Sequence, residues 1–311
     1  MTNVLIIGGA GYIGSVLTKM LLDEGHNVTI LDNFRFQQNS LLDCCHYKNF
    51  FVIRGDCRDQ ETVKNTLKNQ EVIIPLAALV GAPLCDTDQT AALSTNIDAI
   101  KLLLSLRTPE QKILFPSTGS GYGAIGPDTL CTEETPIAPI SLYAKTKIEA
   151  EKIILKSGNS IIFRLSTVFG TSPRPRLDLL VNDFVYRAVY DRSVILFEST
   201  FKRNFIHVKD IARVFIHGIN NFEKMKNEVY NVGLKEANLS KKELCEKIKQ
   251  FIPDFTYVES AIGTDPDQRN YIVSTDKIDK TGFIPQHSLD DGIQELIKTF
   301  TILGNKKYSN V

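Results

Sequence analysis

The chain has 311 residues, of which 43% are hydrophobic and 23% charged, and its 36 basic residues balance 36 acidic ones. This length predicts about two domains, and a core that folds without disulfide bonds or metal ions. A net charge of zero argues against binding to nucleic acid or to a membrane surface, because both need a positive field. The longest uncharged run, Val72 to Cys85, is too short and too interrupted by proline and glycine to span a bilayer.

Cysteine and histidine usage predicts no metal site. The six cysteines include no Cys-x-x-Cys pair, and the five histidines are scattered. The sequence opens directly on a strand-like segment without a basic leader. We therefore expect a reduced protein of the cytoplasm.

The first residues predict a dinucleotide-binding unit. An apolar strand, the motif Gly8-x-x-Gly11-x-x-Gly14, an amphipathic helix and a second strand ending at Asp32 follow one another. The glycines let the backbone turn tightly and approach a pyrophosphate, while the helix N-terminus offers free N–H groups. A carboxylate at Asp32 accepts hydrogen bonds from ribose hydroxyls and repels a 2′-phosphate, which favours NAD over NADP. The nearby Arg35 weakens this preference.

Strands and helices go on alternating to about residue 170, which predicts an α/β fold with a Rossmann-type doubly wound parallel sheet. The predicted strands are 3–7, 27–31, 50–53, 71–76, 111–116 and 160–165, and the predicted helices include 15–22, 88–106, 141–156, 207–224, 240–251 and 288–300. We expect an NAD-binding domain over 1–170, onto which 205–231 packs back. Residues 171–204 and 232–311 are expected to form a smaller α/β substrate domain.

Tyr143 and Lys147 are four residues apart in a predicted helix and therefore share one of its faces. A phenol is a poor base at neutral pH, since its pKa is ordinarily about 10. A neighbouring ammonium favours the phenolate and brings the tyrosine into the range of general-base catalysis. Such a pair is often incidental, but this one follows the fifth predicted strand of a dinucleotide-binding fold. Ser117, Thr118 and Ser120 stand at the end of that strand, where a hydroxyl can hydrogen-bond a substrate alcohol.

Together these motifs resemble those of the extended short-chain dehydrogenases/reductases, the NAD-dependent nucleotide-sugar epimerases and dehydratases. The matching segments, in chain order, are Gly8-x-x-Gly11-x-x-Gly14, Asp32-Asn33, Gly55-Asp56, Leu76-Ala77-Ala78, Asn96, Thr118 to Gly123, Tyr143-x-x-x-Lys147 and Arg203 to Val208. The resemblance covers nearly the whole chain. It implies that the second domain binds a nucleotide-diphosphate sugar and that the protein is a homodimer or a higher homo-oligomer.

The resemblance also implies a role for each matching residue. Tyr143 corresponds to the general base of the family, Lys147 to the lysine that favours its phenolate form, and Thr118 to the residue whose hydroxyl bonds the substrate alcohol. The implied NAD contacts are Gly8, Gly11, Tyr12, Ile13, Gly14, Asp32, Asn33, Asp56, Cys57, Leu76, Ala77, Ala78, Asn96 and Lys147. The implied substrate contacts are Thr118, Gly119, Ser120, Tyr143, Thr167, Arg174, Arg176, Asn182, Arg203 and Arg269, among which Arg203 and Arg269 are favoured for the diphosphate.

Departures from the family pattern reduce the number of reactions that the site is expected to catalyse. The 4,6-dehydratases carry an acidic residue directly after the threonine, because eliminating water needs a second acid or base, whereas this chain has Gly119-Ser120. The substrate-loop segments 76–85 and 173–183 resemble those of GDP-manno-heptose 4-dehydrogenases of surface-polysaccharide synthesis. We therefore expect such a 4-dehydrogenase, with a UDP-hexose 4-epimerase as the alternative. A noncatalytic NAD-binding protein is disfavoured, because the Tyr-Lys-hydroxyl set is complete. His207 is predicted to be structural.

Overall fold

The computed structural model describes residues 1–126, 129–263 and 269–305. The strands are β1 (Asn3–Ile7), β2 (Asn27–Asp32), β3 (Phe50–Arg54), β4 (Val72–Pro75), β5 (Lys112–Thr118), β6 (Leu130–Cys131), β7 (Ser160–Leu165), β8 (Thr167–Phe169), β9 (Ser193–Leu196), β10 (Lys202–His207), β11 (Glu228–Val232), β12 (Asn238–Ser240), β13 (Thr256–Glu259) and β14 (Ile272–Val273). The helices are α1 (Tyr12–Asp23), α2 (Gln60–Thr66), α3 (Ala82–Thr87), α4 (Gln89–Leu93), α5 (Ala99–Leu106), α6 (Leu142–Ser157), α7 (Leu180–Tyr190), α8 (Val208–Asn220), α9 (Phe222–Met225), α10 (Lys241–Phe251), α11 (Asp276–Asp279) and α12 (Leu289–Leu303).

Seven parallel strands form the central sheet, in the order β11-β7-β5-β4-β1-β2-β3. The predicted Rossmann-type fold is thereby confirmed. From β1 the strand order proceeds outward in both directions, so the topological switch point lies between β1 and β4. A crevice for ligands opens at such a point, at the carboxyl ends of the strands.

The sheet separates two apolar cores, because successive side chains of a strand point to opposite faces. Val4 and Ile6 of β1 belong to the cluster that includes side chains of α1 and α8. Leu5 and Ile7 belong to the cluster on the other face, which includes side chains of α2, α5 and α6. All four side chains are buried, and this burial on both faces explains why the sequence of β1 is continuously apolar.

The remaining described strands form three small sheets, with the orders β12-β10-β8, β13-β9 and β14-β6. Helices α7, α10 and α12 pack together beside them. Two later elements return to the large sheet: α8 packs on α1, and β11 pairs with β7 at the sheet edge. The exact domain boundaries stay a prediction.

The structure places a π-helical turn inside the predicted helix 88–106. Asp88 accepts a hydrogen bond from the backbone N–H of Ala91 (2.9 Å) and so starts α4 as a separate helix after α3. A π-helical turn, Ser94–Asp98, then joins α4 to α5. The predicted strand 111–116 is longer in the structure, since β5 continues past Pro116 and pairs with β7 up to Thr118. Thr118 therefore lies at the carboxyl end of a central strand.

A buried ion pair fixes α6 to the sheet. Glu151 of α6 and Arg164 of β7 are 5% and 7% exposed, with Arg164 Nη2 2.6 Å from Glu151 Oε1. The hydroxyl of Ser117 in β5 donates to the same carboxylate. The helix that carries Tyr143 and Lys147 is thus bonded to two neighbouring strands.

We predict that Arg164→Met lowers the free energy of unfolding by about 3–5 kcal/mol, because it leaves a buried carboxylate without its cation. The matched control is Lys226→Met, which breaks the exposed pair of Lys226 with Glu223 and is expected to cost about 1 kcal/mol or less. Urea denaturation measures both free energies. Equal losses in the two variants would contradict this account of the ion pair.

Candidate active site

A cleft of about 840 Å³ lies at the carboxyl ends of the central strands. Its walls come from the large sheet and from segments that follow β8. The predicted residues that line it are Gly8, Gly11, Tyr12, Ile13, Gly14, Asp32, Asn33, Asp56, Cys57, Leu76, Ala77, Ala78, Thr118, Ser120, Tyr143, Lys147, Thr167, Arg174, Arg176, Arg203 and Arg269. The structure thus gathers residues from distant parts of the chain at one site, while their roles toward a ligand stay predictions.

The glycine turn after β1 is tight enough to exclude side chains. Gly8 has φ +87°, and a Cβ atom there would lie 2.6 Å from the backbone nitrogen of Ala77. A Cβ atom at Gly14 would lie 2.7 Å from the carbonyl oxygen of Gly8. Helix α1 begins here with Gly11 as its N-cap and no side-chain cap, so its first N–H groups face the cleft without a side-chain acceptor. This cradle fits the pyrophosphate of a dinucleotide.

Asp32 is held at the edge of this cradle by backbone groups. Its carboxylate accepts hydrogen bonds from the N–H of Ala10 (2.9 Å) and of Phe34 (2.7 Å). Burial raises the pKa of this carboxyl, and the two hydrogen bonds oppose the rise. Each carboxylate oxygen has a second lone pair available. The residue is therefore placed to accept from ribose hydroxyls, as expected for NAD.

Asp56 and Cys57 line the same end of the cleft. Asp56 pairs with Arg58 (Oδ2 to Nη2, 2.6 Å), and this contact lowers the pKa of its carboxyl. Burial raises the pKa of the Cys57 thiol to about 12, so this cysteine is protonated at neutral pH. A packing role beside a bound cofactor suits such a thiol better than nucleophilic chemistry.

Tyr143 and Lys147 project from the first two turns of α6 into the cleft. Ser141 caps this helix by accepting a hydrogen bond from the N–H of Ala144 (3.2 Å). Lys147 is buried, with Nζ 4.0 Å from the ring centroid of Phe115. Burial lowers the pKa of Lys147 to about 7, against the opposing effect of Glu151.

Tyr143 is partly exposed to the cleft. Burial raises the pKa of its phenol, whereas the charges of Arg269 and Arg176 lower it. Thr118 lines the same part of the cleft and donates to the hydroxyl of Ser120 (3.0 Å). The tyrosine, the lysine and the threonine thus form one group at the carboxyl end of β5.

The cleft holds several guanidinium groups. Arg269 Nη1 donates to Ser120 Oγ (2.7 Å), which places this arginine beside the Tyr143 group. Arg203 is buried and lines the cleft from β10, and Arg176 pairs with Asp178 (Nε to Oδ1, 3.1 Å). The concentration of arginine suits an anionic ligand with planar groups of acceptor oxygens, such as phosphates.

Three predicted residues do not line the cleft. Asn96 is buried and bonds to both backbone groups of Leu79 (2.9 and 3.0 Å), so it fixes the loop after β4. Asn182 accepts from the N–H of Gly170 (3.0 Å) and donates to the carbonyl of Arg176 (2.9 Å). Gly119 packs against Tyr271. These residues shape the backbone around the cleft.

Several lining residues were missed by the sequence analysis. Phe36 and residues 79–84, which include the start of α3, were not named individually, because only tertiary contacts bring them to the cleft. Ser166 follows β7 directly. Because ligands of such folds lie at the carboxyl ends of the strands, its position in the sequence could have indicated that it lines the cleft. Its hydroxyl and that of Thr167 are buried without a hydrogen-bond partner among the described residues.

His207 lies outside the cleft. It is fully buried, its Nε2 is 2.9 Å from Glu295 Oε2, and its ring stacks on His287 with centroids 4.6 Å apart. These contacts give it a structural role between β10 and α12. Over the described ranges there is no group of His, Cys, Asp and Glu side chains suited to a metal ion. In the same ranges, the helices are too short or too polar to cross a membrane.

Comparisons with known proteins identify the family of the chain. The chain is 28% identical to the low-salt glycan biosynthesis protein Agl12 of Haloferax volcanii, over 95% of this chain and 97% of that protein. It is 25% identical to a UDP-glucose 4-epimerase of Corynebacterium glutamicum, over 99% and 98% of the two chains. The fold superposes with a TM-score of 0.87 on the UDP-glucuronic acid 4-epimerase of Bacillus cereus in complex with UDP-glucuronic acid and NAD, at 22% identity and over 97% and 100% of the chains. Residues 4–233 match the model of the NAD dependent epimerase/dehydratase family, and the chain belongs to that family.

Proposed function

We propose that this enzyme oxidises the C4 hydroxyl of a nucleotide-diphosphate sugar to a ketone with NAD. The observation that supports this most directly is the group of Thr118, Tyr143 and Lys147 in one cleft with the glycine turn. The arginines of the same cleft suit the diphosphate of the substrate. We also expect the protein to act as a homodimer in the cytoplasm.

In this proposal Tyr143, as the phenolate, takes the proton of the C4 hydroxyl, and Thr118 hydrogen-bonds the same sugar oxygen. When bound, NAD supplies the acceptor for the hydride that leaves C4, so the alcohol loses two electrons and two hydrogens and becomes a ketone. Lys147 stabilises the phenolate by its charge. Burial lowers the pKa of Lys147 to about 7, and the negative charge of Glu151 supports its ammonium form. The charge of a phenolate at Tyr143 would act in the same direction.

The site lacks the carboxylate that water elimination needs next to the threonine. Gly119 has no side chain, and a Cβ atom there would lie 2.8 Å from the hydroxyl of Tyr271. Ser120 is neutral and accepts from Arg269. We infer that the ketone is not dehydrated here.

Two outcomes remain for the 4-keto sugar. Its release would make the enzyme a 4-dehydrogenase, and GDP-heptose is our proposed substrate because segments 76–85 and 173–183 resemble GDP-manno-heptose 4-dehydrogenases. Both segments contribute residues to the cleft wall. Return of a hydride to the other face would make it a UDP-hexose 4-epimerase. The second outcome is favoured by the C. glutamicum relative, which is a UDP-glucose 4-epimerase.

The deciding experiment incubates the purified protein with NAD and a panel of UDP-, GDP-, CDP- and dTDP-sugars, including GDP-heptose. NADH absorbance and product mass are recorded for each. Lasting NADH with a product two hydrogens lighter identifies a 4-dehydrogenase. An isomeric product without lasting NADH identifies a 4-epimerase, and a product lighter by one water contradicts the inference from Gly119.

We predict that Tyr143→Phe lowers kcat about 100- to 10,000-fold, because the general base is lost. NAD affinity should change little, since the phenol ring is retained. Tyr257→Phe is the matched control, because Tyr257 does not line the cleft and its hydroxyl donates to Glu246. Steady-state kinetics and calorimetric NAD titration measure the two effects. Unchanged turnover in Tyr143→Phe would show that another group is the base.

A second prediction concerns pH. Activity of the wild type falls at low pH as Tyr143 becomes protonated. Lys147→Met removes the ammonium that favours the phenolate, so the pKa of Tyr143 rises and the midpoint of this fall moves to higher pH by about one unit or more. The pH profile of kcat at saturating NAD measures the shift. Lys145→Met, an exposed lysine on the same helix, is expected to leave the midpoint in place. A midpoint unchanged in Lys147→Met would rule out this electrostatic role.

A further inference from the structure

The geometry points to Arg174 and Phe36 as a cofactor-binding pair in which Arg174 binds the pyrophosphate of NAD, not the diphosphate of the sugar nucleotide. The family resemblance placed Arg174 among the substrate contacts and left Phe36 without a role. The inference rests on the proposed function, because it requires that the glycine turn binds NAD.

The segment that carries Arg174 is bonded to the first turn of α1. Ser172 donates to the carbonyl of Tyr12 (2.7 Å), and its hydroxyl is 3.0 Å from that of Ser15. The backbone N–H of Arg174 in turn donates to the Ser172 hydroxyl (3.2 Å). A further bond joins the Tyr12 hydroxyl to the carbonyl of Gly170 (2.6 Å). The backbone of Arg174 therefore lies next to the N-terminal end of α1, whose N–H groups can bind an anion.

The side chain of Arg174 extends toward the loop that follows Asp32, which is placed for the ribose of the cofactor. It is 7% exposed, and its guanidinium carbon lies 4.6 Å from the ring centroid of Phe36. Phe36 belongs to the loop that follows Asp32, the residue placed for the ribose. Both residues line the cleft. The cation is thus held beside the loop that follows Asp32, by a cation–π contact with Phe36 and by a hydrogen bond from Nη1 to the carbonyl of Pro175 (2.6 Å).

The local charge also favours an anion beside Arg174. Burial and the neighbouring charge of Arg176 both lower the pKa of the Arg174 guanidinium, and the charge of Asp178 opposes them. A phosphate oxygen would relieve both effects, because it supplies a negative charge and acceptors in the low-dielectric cleft. Arg269 lies elsewhere in the cleft, bonded to Ser120 beside the catalytic threonine. Arg174 and Arg269 therefore occupy different parts of the cleft.

The test measures the Kd of the full-length chain for NAD, ADP-ribose and adenosine, and for whichever of UDP and GDP the wild type binds more tightly, by isothermal titration calorimetry. We expect Arg174→Met to raise the Kd for NAD and ADP-ribose about 10- to 100-fold, the effect of a lost charge-assisted hydrogen bond. The Kd for adenosine and for the nucleoside diphosphate should not change. Arg174→Lys, which keeps the charge without the planar fork, is expected to give an intermediate Kd for NAD.

Two further variants test whether NAD and the nucleoside diphosphate are bound by different residues. Phe36→Leu is expected to raise the Kd for NAD about two- to fivefold, since it removes only the cation–π contact. Arg203→Met should weaken binding of the nucleoside diphosphate and leave the Kd for NAD unchanged. Thermal melting of each variant shows whether the fold is retained.

The opposite pattern overturns the inference. If Arg174→Met weakens only the nucleoside diphosphate, Arg174 belongs to the substrate site. If it weakens all ligands alike and lowers the melting temperature, its role is structural. A wild-type chain that binds neither NAD nor ADP-ribose would instead refute the proposed function itself.

Discussion

The carboxylate of Glu151 is the group on which the site's geometry depends most. A charge so deeply buried is stable only with a cation and hydrogen-bond donors around it, which Arg164 and Ser117 provide from two adjacent strands. This requirement fixes the rotation of α6 about its own axis. Tyr143 and Lys147 lie eight and four residues earlier on the same face and are therefore aimed at the end of β5. The same negative charge raises the pKa of Lys147 against the effect of burial.

Features encoded by residues close together in the chain could be predicted from the sequence. The glycine turn, Asp32 at the end of the next strand and the spacing of Tyr143 and Lys147 each describe a local backbone geometry. The alternation of strands and helices then gives a parallel sheet, and the position of its ligand-binding edge follows from the fold. This is why the fold class, and the group of side chains at the end of β5, could both be predicted from the sequence.

Features that depend on distant partners could not be predicted in this way. Asn96 matched a family motif, yet its amide bonds to Leu79 and to Thr146, 50 residues away in the chain. A pattern of residue types does not distinguish an amide that faces a ligand from one that supports a loop. The same reason applies to Arg174, whose guanidinium contacts Phe36 and whose backbone N–H donates to Ser172. The π-helical turn Ser94–Asp98 inside the predicted helix 88–106 likewise has no signal in the local pattern of residue types.

The contact between Gly119 and Tyr271 limits how this enzyme's chemistry can evolve. An acidic side chain at 119 would supply the group that dehydration needs, but its first carbon would meet the tyrosine hydroxyl at 2.8 Å. A smaller residue at 271, in turn, would open a void beside Tyr122, whose ring packs edge-on against Tyr271. Each change alone is expected to be unfavourable. The effects of substitutions at 119 and 271 are therefore expected to be coupled, although the two residues are about 150 positions apart.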